Sequence, residues 1–194
     1  MNKRLMARQE TAERLLEAAR IRISGNGLTG LRARDVTADA GCALGMLYKC
    51  YSDLDTLIDR VNMGTLVMLL SNLRQAVAGT TDPVDQLKVL AKTYLAFAVE
   101  HRNLWSSVFE HRQKDQRPIP QDYVDANQRL LGVIGEAMGK LKPDIVGDEL
   151  DARVRTYFGA VHGVVTLGLQ ERFVSVPTHR LEQELDVLVD QLTR

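Results

Sequence analysis

Apolar residues along this chain recur at helical spacing, and no run of alternating β-branched residues interrupts the pattern. A first helix is expected from about Arg8 to Ser24, with Ala12, Leu15, Leu16, Ala19 and Ile23 on one face. Gly25-Asn26-Gly27 should stop it, because these residues tolerate positive φ. A second helix over about Arg32–Ala40 ends at Gly41, and a third follows after one or two residues. Ser52-Asp53-Leu54-Asp55 opens a long fourth helix reaching about Ala78, with Ser52 as its expected cap. After a loop at Gly79–Pro83, a fifth helix runs to about His101 and a short sixth from Leu104 to Arg112. Lys114–Pro120 reads as a loop. Two longer helices follow, about Gln121–Lys140 and Asp148–Phe173, and a last one near His179–Leu192 carries Leu181, Leu185, Leu188 and Leu192 on one face. The prediction is an all-α protein with a three-helix head, residues 1–53, and a larger helical body, residues 54–194.

Composition changes this picture little. With 194 residues, 45% hydrophobic and 26% charged, the chain is long enough to bury a core and ordinary in its balance. Its net charge is zero, which argues against a generic nucleic-acid sponge. The charge is uneven, however: nine basic residues against five acidic ones up to Lys49 leave the head at +4 and the remainder at −4. Only two cysteines occur, Cys42 and Cys50, and small apolar packing is their expected role in a reducing cytoplasm. No apolar run has signal-peptide or membrane-spanning length, so a cytoplasmic protein without a membrane partner is expected.

The most informative stretch is LRARDVTADAGCALGMLYKCY, residues 31–51. Two short helices joined by a tight turn at Gly41 are how a chain presents one helix to the major groove of duplex DNA. Leu31, Val36, Ala40 and Leu47, with Cys42, have the spacing of the buried side. Ala43, Leu44, Gly45, Met46, Tyr48 and Lys49 are left outward, followed by Tyr51. Tyr48 and Lys49 suit phosphate contacts, Arg32 and Arg34 reach for phosphate or a guanine edge, and Leu44 and Met46 favour apolar contact such as thymine methyl groups.

Ala18-Ala19, Gly27, Ala40-Gly41, Gly45, Leu47-Tyr48, Tyr51 and Leu57 together resemble the head of the TetR family of transcriptional regulators over residues 12–57. Against that family's usual residues, Ala43 replaces a Ser or Thr cap, Met46 a hydroxyl, Arg32-Ala33 a Thr pair, and Leu54 a lysine. A lost cap costs about 1 kcal/mol. Because these family positions serve backbone contact or capping, the expectation is weak, strongly salt-dependent DNA binding, with Arg32, Lys49 and the basic Lys3, Arg4 and Arg8 compensating.

The resemblance also implies a body that dimerises through its last two helices and holds a small-molecule pocket. Val161-His162-Gly163 looks like a subgroup signature of Trp-His-Gly in which Val161 stands for the tryptophan. Gly159 and Gly163, four apart, would let a neighbouring helix approach closely, and the last helix's leucine stripe fits a four-helix dimer contact. Aromatics concentrate in helices five to eight, which makes Tyr94, Phe97, His101, Trp105, Phe109, Tyr123, Phe158 and His162 the candidate pocket residues. Trp105 and His162 lead because each joins apolar surface to a polar tip.

His101, His111, His162 and His179 lack the short spacings of a zinc site, and no phosphate loop or nucleophile motif appears. Neither metal, cofactor nor enzymatic activity is expected. The reading is a homodimeric regulator, a repressor released from a near-palindromic DNA operator by a small apolar ligand. The alternative is a helical ligand-binding dimer whose DNA function has weakened or been lost.

Overall fold

In a computed structural model, residues 3–111, 120–171 and 174–194 are described. Among them the chain is all-α: α1 (Lys3–Asn26), α2 (Ala33–Asp39), α3 (Leu44–Cys50), α4 (Leu54–Val77), α5 (Pro83–Glu100), α6 (Arg102–Glu110), α7 (Gln121–Leu141), α8 (Gly147–Leu169) and α9 (Leu181–Thr193), with a 3-10 turn at Thr178–Arg180 before α9. Most of the expected 114–120 loop, the Arg112 end of the sixth helix and the Phe173 end of the eighth lie outside the described residues.

Several ends have visible causes. The first helix begins at Lys3, five residues before the expected Arg8, because residues 3–7 contain no helix breaker. It stops where Gly27, at φ 68°, turns its amide onto the Ile23 carbonyl at 2.8 Å. The α2–α3 turn uses Gly41 at φ 62°. At the start of α4 the cap is Asp53, not Ser52. Its Oδ1 accepts from the Thr56 amide at 2.7 Å, while the Ser52 hydroxyl bonds the Asp53 and Thr56 side chains. Asp82 does the same for α5, accepting from the Val84 and Asp85 amides at 2.9 Å, with Pro83 in the first helical position.

Packing forms two compact units. The first holds α1, α2, α3, α4 as far as Leu66, and α6. Leu15, Ala19, Ile23, Val36, Leu47, Leu57 and Leu104 form its core. Its α6 is fixed by polar contacts as well as apolar ones. Asn103 Nδ2 donates to the Ser24 carbonyl at 2.8 Å. Asn62, on α4, donates to the Ser107 carbonyl at 3.1 Å and accepts from the Ser107 hydroxyl at 2.7 Å. Both side chains are essentially inaccessible, so their desolvation is offset only by this reciprocal pair. One turn along, His111 Nε2 comes within 3.4 Å of Asp59.

The second unit holds α4 from Val67, with α5, α7, α8 and α9. Leu87, Leu90, Phe97, Ile134, Met138, Val161, Val165, Leu185 and Val189 are buried there. The last helix packs on α5 and α8 of its own chain. Lys88 and Lys92 pair with Asp190 and Asp186 at 2.6 and 2.8 Å, and Leu181 sits against Gly168, where an added Cβ would meet its side chain at 2.5 Å. The leucine stripe is therefore spent mainly inside the protomer: Leu181 and Leu185 are buried, Leu188 and Leu192 half-buried.

Candidate nucleic-acid interface and ligand site

The seven-residue α3 holds its position through few side chains. Leu47 is fully buried, whereas Tyr48 is 53% exposed. Its cap position, Ala43, has extended backbone (φ −71°, ψ 149°) and no side-chain bond to the free amides. Neighbours hold it instead. Cys42, Cys50 and Tyr51 pack against the head core, and Leu47 inserts among α1, α2 and α4 residues. Arg14 donates to the Ala40 carbonyl at 3.1 Å, bracing the turn from α1.

Arg32, Arg34, Ala43, Gly45, Tyr48 and Lys49 are exposed, while Leu44 and Met46 are half-buried. Tyr51 differs from its expected place on the DNA side. Its hydroxyl turns inward and donates to the Ala12 carbonyl at 2.9 Å, and burial raises its pKa. It acts as a strut between the end of α3 and α1. Two of the head's cations are also engaged within the fold: Arg20 pairs with Glu17, and Arg22 with Asp39. Hydrogen bonding to Arg22 holds the Asp39 pKa below its ordinary value.

The eight candidate ligand residues fall in both compact units. In the first, His101 occupies the position before α6 without a side-chain capping bond, and Trp105 and Phe109 follow at helical spacing with ring centroids 5.5 Å apart; Trp105 is buried and Phe109 exposed. In the second, Tyr94, Phe158 and His162 come together. The Tyr94 hydroxyl lies 2.7 Å from His162 Nδ1, Phe158 stacks on the imidazole at 5.5 Å, and Tyr94 meets Phe158 edge-on at 5.9 Å. Phe97 is buried one turn along α5 from Tyr94, and Tyr123 is half-buried in the first turn of α7.

Thr166 belongs to this cluster although sequence reading missed it: its hydroxyl is 3.3 Å from His162 Nε2. The i, i+4 spacing from His162 on α8 was the available signal. Burial lowers the His162 pKa, so the ring is neutral near pH 7, with one nitrogen donating and the other accepting. The cluster thus offers aromatic surface and a neutral donor–acceptor pair. Among the described residues no group of three or more His, Cys, Asp or Glu side chains is placed to hold a metal ion, and no helix is long and apolar enough to cross a membrane.

Comparison with known proteins agrees with this architecture. The family described as tetracyclin repressor-like, C-terminal domain, matches residues 87–192, more than half of the chain. The HTH-type transcriptional repressor KstR2 of Mycobacterium tuberculosis is 27% identical over 139 residues, 68% of this chain and 69% of that protein. A protein of unknown function from Rhodococcus sp. RHA1 has a similar fold at TM-score 0.76 and 20% identity, covering 95% of this chain and 94% of its own. RolR in complex with resorcinol is similar at TM-score 0.71 and 16% identity, covering 97% and 89%. With its helix-turn-helix, its helical body and a family match across most of that body, the chain belongs to the TetR family of transcriptional regulators.

Proposed function

We propose that this protein is a ligand-responsive repressor in which residues 1–53 bind operator DNA and residues 54–194 bind effector and dimerise. The observation that carries the reading is the exposed set Arg32, Arg34, Ala43, Gly45, Tyr48 and Lys49 around a helix locked from behind by Leu47. Arg32, Arg34, Tyr48 and Lys49 contact phosphates or base edges, and Leu44 and Met46 supply apolar contact. Tyr51 positions α3. Two heads, related by dimer symmetry, meet the half-sites of a near-palindromic operator.

The dimer contact runs through α8 and α9. Ala152, Gly159, Gly163 and Leu167 follow one another along the outward side of α8, and Leu167 and Val187 are 43% and 44% exposed. The effector site centres on Tyr94, Phe158, His162 and Thr166. The ligand is small and largely apolar, with a hydroxyl or carbonyl to meet the neutral imidazole; resorcinol, bound by the structural relative RolR, is a reasonable first probe. It shifts the population toward a state that misfits DNA, so it must bind the free dimer more tightly than the DNA-bound one by the factor by which it weakens DNA binding.

Titration of the protein into duplex from its own promoter region, against scrambled duplex, tests this function. Clear preference for the promoter duplex is expected. Equal affinity for both would favour a helical ligand-binding dimer whose DNA function has weakened or been lost, the reading kept alive by Ala43, Met46 and Leu54.

A further inference from the structure

The opening two turns of α1, residues 3–10, are helical, and every one of these residues is exposed. Burial on this helix begins at Thr11, and its contribution to the head core begins at Leu15. Eight successive residues point in every direction around a helix, so this stretch is covered on no side. It is an arm of about 12 Å, at about 1.5 Å per residue.

The foot of the arm is fastened to the end of α3. Cys50, the last residue of α3, donates its thiol to the Arg8 carbonyl at 3.7 Å, and Tyr51 donates to the Ala12 carbonyl at 2.9 Å. The Thr11 hydroxyl donates to the Ala7 carbonyl at 2.8 Å and accepts from Arg14, whose Nε also holds the Ala40 carbonyl at 3.1 Å. The contacts that set the α2–α3 turn and the end of α3 therefore set the arm as well. It leaves the head beside Lys49, exposed in the last turn of α3.

Charge on this part of α1 is sorted by side. Arg4, Arg8, Thr11, Leu15 and Ala19 succeed one another at three- and four-residue steps, so the stripe that packs the head core runs on into two arginines where the core ends. Glu10, Glu13 and Glu17 form their own stripe at the same steps on nearly the opposite side. The arginine stripe is continuous with the exposed end of α3, and its charge is complementary to a phosphate backbone. We infer that the arm is a clamp on duplex DNA, in which Arg4 and Arg8 meet phosphates bordering the base pairs that α3 faces. Arginine suits this because its planar fork engages two phosphate oxygens at once. Such contacts fix position and add affinity without reading sequence. The inference rests on the reading of residues 1–53 as a DNA-binding head and adds to it a surface outside the helix-turn-helix.

Titration of the full chain with promoter and scrambled duplexes over a range of salt tests the inference. Arg4→Gln and Arg8→Gln should each weaken both duplexes several-fold, and the double variant about tenfold or more, by the same factor on each duplex. The slope of log K against log salt should become shallower by about 0.9 for each phosphate contact removed. Arg4→Lys with Arg8→Lys keeps both charges and should recover most of the loss. Arg20→Gln removes the same charge from the other side of α1, where Arg20 pairs with Glu17, and should leave binding within about twofold. Wild-type affinity and slope in the double glutamine variant, an equal loss in Arg20→Gln, a loss confined to the promoter duplex, or no recovery with lysine would each overturn the clamp. Equal wild-type affinity for the two duplexes overturns the operator reading instead, and the clamp then stands if the double variant still weakens both. No binding of either duplex by the wild type overturns both.

Discussion

The recognition helix α3 and the body helix α8 meet the demands of folding and function in opposite ways. In α3, Leu47 is the one fully buried side chain and the cap residue contributes no side-chain bond, while Gly45, Tyr48 and Lys49 are exposed to an external partner. Its stability is borrowed from α1, α2 and the first half of α4 through Leu47, Cys50 and Tyr51. In α8, Val154, Tyr157, Val161, Val165, Gly168 and Leu169 anchor one side, which leaves separate flanks for other tasks. Phe158, His162 and Thr166 take one flank, and Gly159 and Gly163 the outward side. A short helix can be specialised for one contact only if its neighbours hold it; a long one can carry several tasks at once.

That contrast breaks most sharply at the single buried anchor. Leu47→Ala should destabilise the head by about 2–5 kcal/mol and abolish DNA binding, as seen by denaturant unfolding and DNA titration. Leu185→Ala, of similar cost on α9, should instead lower the stability of the second unit, with loss of its helical signal preceding that of the first. Equal effects of both substitutions on both units would remove the distinction.

The polar anchor of α6 comes next. Removing one member of the Asn62–Ser107 pair leaves the other buried without its partner, so Asn62→Ala or Ser107→Ala should each cost about 1–3 kcal/mol. The double variant should cost less than the sum, with a coupling of about 0.5–3 kcal/mol in a double-mutant cycle; strict additivity would show that the pair is not a unit. A smaller change of opposite sign is expected at the bare cap. Ala43→Ser supplies the missing acceptor for the α3 amides and should stabilise the head by about 1 kcal/mol, read as a higher denaturation midpoint.

The smallest effect concerns pH. Burial lowers the His162 pKa below its ordinary 6.5, so the unfolded chain binds this proton more readily than the folded one. The contribution of His162 is fully present above about pH 6.5 and is lost as pH falls from there toward the folded pKa. Thermal unfolding between pH 7 and pH 5 should therefore decline more steeply in the wild type than in His162→Gln. Parallel curves would place this ring in an environment no drier than water.

Much of the architecture was legible in the sequence. Apolar residues at helical spacing located the helices, and Gly27 and Gly41 marked turns that require positive φ. The side of α3 set by Leu47 also followed from spacing alone. Other features depended on distant parts of the chain. Ser52 and Asp53 are both good caps, and only the backbone geometry selects Asp53. The tie from Asn103 to Ser24 spans 79 residues, a separation at which periodicity carries no information. An amphipathic stripe announces that something covers it but not what: Leu181 and Leu185 proved to face their own protomer. Tyr51 was misplaced for the same reason, since an aromatic at the end of a recognition helix fits either a DNA contact or a strut.

The central claim is that α3 and the residues beside it grip DNA mainly through phosphates. The slope of log K against log salt for the promoter duplex tests it most directly, since each phosphate neutralised contributes about −0.9 on double-stranded DNA. The account predicts a steep slope that becomes shallower by about one for each head lost as a phosphate contact in Lys49→Gln, with affinity falling on all sequences alike. A tight complex whose affinity barely changes between low and physiological salt, or a Lys49→Gln slope equal to the wild type, would contradict it.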